Sequence, residues 1–150
     1  MTGLNDDVGF LLTRASGLVV RSTNAALADV GLRVRQYSVL VLADDASDGI
    51  SQRDLAEVLG LDPSQVVALV DELAAGGLVE RRPSPTDRRA KLVAATAQGV
   101  RLRRRADERA AAGVQVQLGG LTREEQDALR ELLVRVVRAG DAREDSRRAG

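Results

Sequence analysis

Residues 51–96 decide the fold, and they read SQRDLAEVLGLDPSQVVALVDELAAGGLVERRPSPTDRRAKLVAAT. Two helix starts follow each other closely in this stretch. Ser51 opens a capping-box pattern, and Gly60 ends that helix after about two turns. Asp62 suits the next N-cap and Pro63 the first helical position. Two short helices with a tight turn are typical of a helix-turn-helix, although these residues alone leave an ordinary helical hairpin open.

The residues that follow read as a basic β-hairpin. Residues 78–82 are compatible with a strand, residues 83–88 carry turn chemistry, and residues 91–96 can return as the partner strand. A basic hairpin directly after a helix-turn-helix is a wing. The sequence therefore predicts a winged helix-turn-helix lobe over residues 35–96, whose first helix covers residues 35–43.

Helices are also predicted outside this lobe. Apolar residues recur at helical spacing over residues 6–30, where Asn5 or Asp6 suits the N-cap and Gly31 the end. Residues 97–139 read as two more helices, the second opened by a capping box at Thr122. Residues 44–49 read as a loop and residues 140–150 as a flexible tail. The expected fold of residues 1–150 is one mainly α domain with a small β-hairpin.

Composition excludes several classes of function. Apolar residues make up 44% of the chain and aromatic residues 1%, while Cys and His are absent. Zinc sites of the Cys/His type, disulfides, thiol sensing and catalysis by Ser-His-Asp or Cys-His groups are therefore excluded. Asp44 and Asp45 are adjacent acids, but no nucleophile, His or phosphate loop lies beside them in the sequence. We predict no enzyme activity, no metal and no cofactor.

The chain is also expected to act away from membranes. No stretch approaches the roughly 20 apolar residues of a membrane span. The N-terminus, MTGLNDD, has neither a basic segment nor a long apolar run, so we expect no secretory signal. These features predict a cytoplasmic protein.

The net charge of zero conceals a basic segment. Residues 78–105 hold nine basic and two acidic residues, a net charge of +7, so the rest of the chain carries −7. Such a segment suits a polyanion such as DNA. A solvated charged face is the other interpretation of a charge run taken alone.

The second helix of the motif carries the candidate base-reading residues. Its N-terminal turn must face base edges in the major groove, and there Gln can pair with adenine while a methyl group can meet thymine. Gln65 can instead complete the helix cap, and both roles remain open. The candidates are Ser64, Gln65, Val67 and Ala68.

The wing carries the candidate minor-groove residues, Asp87, Arg88 and Arg89. Arg89 is the strongest single candidate, because a guanidinium is the usual side chain in a narrow minor groove. Asp87 repels phosphate, so we expect it to hold the turn or to orient an arginine. An exposed solubilising charge is the alternative for Arg89. More general candidates for phosphate contact are Arg53, Arg81, Arg82 and Lys91.

The helices at residues 6–30 and 97–139 carry apolar stripes that a small lobe cannot cover. Exposed stripes of this size usually indicate a partner, and a homodimer is the simplest. The alternatives are packing onto the same subunit or onto a membrane. Predicted interface residues are Val8, Leu11, Leu12, Leu129, Leu132, Leu133 and Val136.

The sequence resembles the MarR family of bacterial transcription regulators over residues 8–139. Residues 73–96, LAAGGLVERRPSPTDRRAKLVAAT, carry the most specific likeness, including the Asp-x-Arg pattern at Asp87 and Arg89. The resemblance implies an obligate homodimer and a palindromic operator. It also implies release by a small, often aromatic effector bound between the dimerisation helices and the DNA-binding lobe, for which no residues are assigned. Ala68 and Glu72 depart from the polar or basic residues common in the family.

Two functions from different classes follow. The first is a double-stranded-DNA-binding regulator, expected to be a ligand-responsive repressor. The second is a winged-helix module that binds proteins without reading DNA. The basic wing argues against the second, because such a module gains little from it.

Overall fold

The computed structural model describes residues 3–150 and is built of six helices and one hairpin. Met1 and Thr2, which begin the segment for which no secretory signal is expected, lie outside the described residues. The elements in chain order are α1 Val8–Leu27, α2 Val34–Asp45, α3 Gln52–Leu59, α4 Pro63–Ala75, β1 Val79–Pro83, β2 Lys91–Ala95, α5 Ala97–Leu118 and α6 Arg123–Arg148. Single 3-10 turns flank α1 on both sides.

Side-chain caps set the helix starts, as expected from the sequence. The Ser51 hydroxyl accepts a hydrogen bond from the Asp54 N–H at 3.0 Å, and Gly60 ends α3 in the left-handed conformation. Thr122 forms the predicted capping box at the start of α6. The cap of α1 differs from the prediction. Asp7 accepts from the Phe10 N–H, because Leu4–Asp6 forms a 3-10 turn that occupies both predicted capping residues.

The core lies between α2, α3, α4 and the hairpin, with α1 and α5 packed against it. Leu69 and the neighbouring apolar positions of α4 face inward as predicted. The largest fully buried side chains are Leu27, Leu40, Leu55, Leu73, Val39, Val66, Val70 and Val93. Burial of these aliphatic groups is the main force that holds the helix-turn-helix against the rest of the lobe.

The hairpin is antiparallel and pairs Val79 with Ala95 at its base and Pro83 with Lys91 near its tip. Ile50 adds two hydrogen bonds to Val93, one through its N–H and one through its carbonyl. The segment before α3 is thereby bonded to β2, which fixes the wing beside the helix-turn-helix.

The first two residues of the predicted loop 44–49 and most of the predicted tail are helical instead. Asp44 and Asp45 complete α2, where both carboxylates pair with Arg103 of α5. The predicted tail from Gly140 continues α6 to Arg148. Ala, Arg and Glu in that segment favour helix, and Arg147 and Arg148 in the last turn suit the helix dipole.

Among residues 3–150, no helix is both long enough and apolar enough to cross a membrane.

Candidate nucleic-acid interface

The recognition helix α4 presents its N-terminal turn to solvent. Asp62 precedes the helix and Pro63 is its first residue, as the sequence predicts. Ser64 and Gln65 are exposed in this turn. The Asp62 N–H donates to Gln65 Oε1 at 3.1 Å, so the capping role of Gln65 is realised in the free protein. A bidentate contact to adenine would share Gln65 Oε1 with this cap, because an amide oxygen has two lone pairs.

The two faces of α4 are clearly separated. Val66, Leu69, Val70 and Leu73 are buried against the core. Val67 and Ala68 are exposed, so their methyl groups are available to thymine. The assignment of these side chains to base reading remains a prediction.

The wing turn is held by Asp87, the role expected for it. Its Oδ1 accepts from the Arg89 N–H at 3.0 Å, and its carbonyl accepts from the Ala90 N–H at 3.1 Å. Arg88 and Arg89 are exposed at the tip. The carboxylate thus shapes the backbone that carries the two guanidinium groups.

The four general phosphate candidates have different surroundings. Arg81 donates to Gln52 of α3 and to Asp71 of α4, the latter at 2.6 Å, so it joins the wing to the helix-turn-helix. Arg82 pairs with Glu80 on its own strand. Arg53 is exposed on α3 and Lys91 on β2.

A basic cavity lies between the wing and the start of α3. Gln52, Arg81, Arg89 and Lys91 surround about 370 Å³ there. Three cationic side chains around one small space form a site suited to a phosphate group. Arg81, which already pairs with Asp71, contributes positioning of the wing rather than a fully available charge.

One arginine of the basic segment has an internal role that the sequence did not predict. Arg103 of α5 lies 2.8 Å from an oxygen of Asp44 and 2.7 Å from one of Asp45, and it also pairs with Asp107. The hydrogen bond to Asp44 is the largest of the effects that raise the pKa of Arg103 above its usual range. This cluster joins α5 to the end of α2, and it lowers the positive charge available to DNA.

Tyr37 belongs to the same cluster. Its hydroxyl donates to Asp107 Oδ1 at 2.7 Å. Burial, followed by this hydrogen bond, raises the pKa of Tyr37 to about 12. Tyr37 is half-buried and packed against the core.

A second cavity, of about 520 Å³, lies between α1, the start of α2 and α4. Asn24 of α1 closes one side and accepts from the Val34 N–H at 2.8 Å. The lining residues are Val20, Asn24, Arg33, Val34, Arg35, Gln65, Ala68 and Leu69. The sequence did not assign this site, because its residues come from three elements and follow no local motif.

The predicted interface residues lie exposed on α1 and α6. Val8, Leu11 and Leu12 are exposed on α1, and Leu132, Leu133 and Val136 on α6, while Leu129 is half-buried. An apolar groove lined by Leu129, Leu133 and Val137 follows α6 and meets α5 at its last residue, Leu118. Exposed apolar surface of this extent is typical of an interface.

The fold and this site together define a winged helix-turn-helix regulator that binds DNA. The sequence model of the MarR family matches residues 30–90. The chain is 47% identical to a MarR-family transcriptional regulator from Rhodococcus sp. RHA1, with a TM-score of 0.83 over 89% of this chain and 94% of that chain. The chain therefore belongs to the MarR family, which confirms the resemblance and the predicted fold class.

Two further solved structures are similar. CouR from Rhodococcus jostii RHA1, bound to p-coumaroyl-CoA, is 48% identical, with a TM-score of 0.82 over 89% of this chain and 93% of that chain. A transcriptional repressor CouR bound to a 23-mer DNA duplex is 32% identical, with a TM-score of 0.80 over 89% of this chain and 94% of that chain.

Proposed function

We propose that this chain represses transcription by binding a palindromic operator as a homodimer, and that a coenzyme A thioester of an aromatic acid releases it. The observation that carries the proposal is the exposed N-terminal turn of α4 beside a basic wing. Arg81 joins that wing to both helices of the motif, so the two DNA-binding elements keep a fixed relation. A protein-only interaction module has no use for this arrangement.

The homodimer is supported by the apolar faces of α1 and α6. One winged lobe reads only half of a palindrome, and a two-fold axis places two recognition helices about one DNA turn apart. Burying both faces against their symmetry copies removes this apolar surface from water.

The cavity between α1, α2 and α4 supports the effector class. Its volume lies within the roughly 300–1,000 Å³ of small-molecule sites. Val20, Val34 and Leu69 offer an apolar wall for an aromatic ring, and Arg33 and Arg35 offer cations for phosphate groups. CouR, 48% identical to this chain, was solved with p-coumaroyl-CoA.

The family relation also supports a proposal for where the protein acts. A regulator of transcription acts where the bacterial chromosome lies, so we place it in the cytoplasm. We assign it no catalytic activity, since the proteins it matches are transcription regulators.

Selection of binding sites from random DNA duplexes tests the proposal. We expect a palindrome with half-sites ~10 base pairs apart, and binding that weakens steeply as salt rises. No enriched sequence together with a flat salt response would contradict DNA reading.

The selected operator then tests the effector. We expect p-coumaroyl-CoA to release the protein from the operator, while coenzyme A alone, which lacks the aromatic acyl group, is the matched control. Release by neither compound would remove the effector assignment and leave the DNA-binding proposal standing.

A further inference from the structure

Glu72 of the recognition helix is bonded to the start of α2. Its Oε2 accepts a hydrogen bond from Gln36 Nε2 at 2.8 Å and lies 3.5 Å from a guanidinium nitrogen of Arg33. Gln36 in turn accepts from the Arg33 N–H at 3.0 Å. We call this three-residue arrangement the Arg33–Glu72 tie. It connects α4 to α2 beside the core contacts that the two helices share.

Arg33 also lines the cavity that the proposed effector would occupy. Arg35, Ala68 and Leu69 line the same space, and the last two lie one turn before Glu72 on α4. The Arg33 guanidinium can therefore pair either with the Glu72 carboxylate of α4 or with an anionic group of a ligand in the cavity. Both partners of the ion pair are at least half exposed, and such pairs are weak. A phosphate group, with its higher charge and several acceptor oxygens, is a stronger partner for arginine.

We propose that Glu72 competes with the anionic group of the effector for Arg33, and that ligand binding releases the recognition helix from α2 by displacing Glu72. The inference rests on the effector part of the proposed function. A ligand can shift an equilibrium only through a difference in affinity between two states. Displacement of Glu72 supplies that difference, because the tie holds α4 only while the cavity lacks the competing anion.

Reciprocity gives the expected behaviour of a variant. Glu72→Gln removes the competing charge, so p-coumaroyl-CoA should bind about two- to five-fold more tightly, the range expected for an exposed ion pair. The loss of operator affinity caused by the ligand should shrink by a similar factor. The ligand lowers the affinity for the operator by the same factor as the operator lowers the affinity for the ligand. Glu72 is exposed, so the substitution leaves the core untouched.

Isothermal titration of p-coumaroyl-CoA into the full chain tests this in a double-mutant cycle. Glu72→Gln should tighten binding in the native background and have no effect in an Arg33→Ala background. Asp71→Asn is the matched control, because it removes a neighbouring carboxylate of α4 that pairs with Arg81 rather than Arg33. It should leave the affinity for the ligand unchanged.

The outcomes separate the two levels of proposal. Suppose that the unmodified chain binds the ligand, but that Glu72→Gln has no effect or Asp71→Asn has an equal one. Either result would overturn the proposed competition for Arg33 and leave the effector assignment standing. An effect of Glu72→Gln that persists without Arg33 would overturn the competition as well, because the charge would then act on the ligand directly. Absence of binding to the unmodified chain would overturn the effector assignment and, with it, the proposed competition.

Discussion

At the tip of the wing, Asp87 holds the turn and Arg89 carries an exposed positive charge. Asp87 accepts hydrogen bonds within the turn, one of them from the Arg89 N–H at 3.0 Å. The backbone of Arg89 is thus fixed by the wing itself, while its exposed guanidinium extends from the tip. An arginine placed in this way can enter a narrow minor groove with less loss of freedom than one on an unstructured loop.

We predict that Arg89→Ala weakens binding to the selected operator by about 1 kcal/mol or more, while the dimer remains intact. Arg123→Ala removes the same charge at the start of α6 and should change operator affinity little. The 22 residues of α5 separate it from the wing, a distance of about 33 Å for a straight helix. Titration of labelled operator measures affinity, and sedimentation measures the dimer. Equal affinities of Arg89→Ala and the unmodified chain would contradict the assignment.

The single tyrosine reports on the cluster between α2 and α5. Tyr37 has a pKa raised to about 12, chiefly by burial and then by its hydrogen bond to Asp107. The unfolded side chain titrates near 10. The folded chain keeps this proton while the unfolded chain loses it, so the contribution to stability is complete below about pH 10 and is lost as pH rises toward 12.

We predict that tyrosinate absorbance rises at higher pH in the folded chain than in the chain unfolded by urea. The chain contains one Tyr and no Trp, so the signal belongs to Tyr37 alone. Asp107→Asn should lower the pKa only part of the way, since burial is the larger cause. Identical titration of folded and unfolded chains would show that Tyr37 lies in water.

At the scale of the elements, α1 and α5 approach each other closely at Gly113. A Cβ atom added there would lie 2.5 Å from the Thr23 Cα and 3.0 Å from the Ser22 carbonyl oxygen. The Ser22 hydroxyl donates to the Gly113 carbonyl at 2.8 Å across the same contact. The glycine lowers the helix propensity of α5, and the close backbone approach that it permits joins the N-terminal helix to the lobe.

We predict that Gly113→Ala destabilises the fold by about 1–3 kcal/mol, although alanine is the better helix former. Gly140→Ala in α6 is the matched control, because open space surrounds its Cβ position. It should stabilise the chain by up to about 1 kcal/mol. Urea unfolding at one fixed protein concentration measures both. A gain in stability for Gly113→Ala would show that the two helices are free to separate.

The sequence predicts elements well where a local cap marks them. Ser51, Asp62 and Thr122 begin helices as expected, and Gly60 ends one. The prediction for α1 misplaced the cap, because Asn5, Asp6 and Asp7 are all good capping residues and only the 3-10 turn before the helix distinguishes them. Local chemistry alone does not make that choice.

Over the whole molecule, the site could be predicted only in part. The positions of the candidate base-reading turn and of the wing tip follow from local motifs. The phosphate contact of Arg81 stays a prediction, whereas its hydrogen bond to Gln52, 29 residues away in sequence, was not predicted. Arg103 pairs with Asp44 across 59 residues, and the cavity draws on three elements. Partners so distant in sequence are chosen by packing, which a pattern of residues along the chain does not record.

The predicted dimer interface also involves the whole molecule, because the single chain leaves this surface uncovered. Leu132 is 55% exposed and Leu133 36% exposed on α6, beside other exposed apolar residues of that helix. Leu133 also lines the apolar groove along α6, where an apolar side chain of a second copy can insert. Placing a charge in such an interface is costly, because the carboxylate loses its water without gaining a partner.

We predict that the double substitution Leu132→Glu with Leu133→Glu converts the protein to monomers, measured by sedimentation. Operator affinity should fall by about 100-fold or more, because two half-sites then bind independently instead of through one linked dimer. Val58→Glu is the matched control: Val58 is exposed on α3, outside the predicted interface, and its substitution should leave the dimer intact. An unaltered dimer in the double variant would move the interface away from α6. A monomer that still bound the whole palindrome with native affinity would show that dimerisation and operator reading are independent.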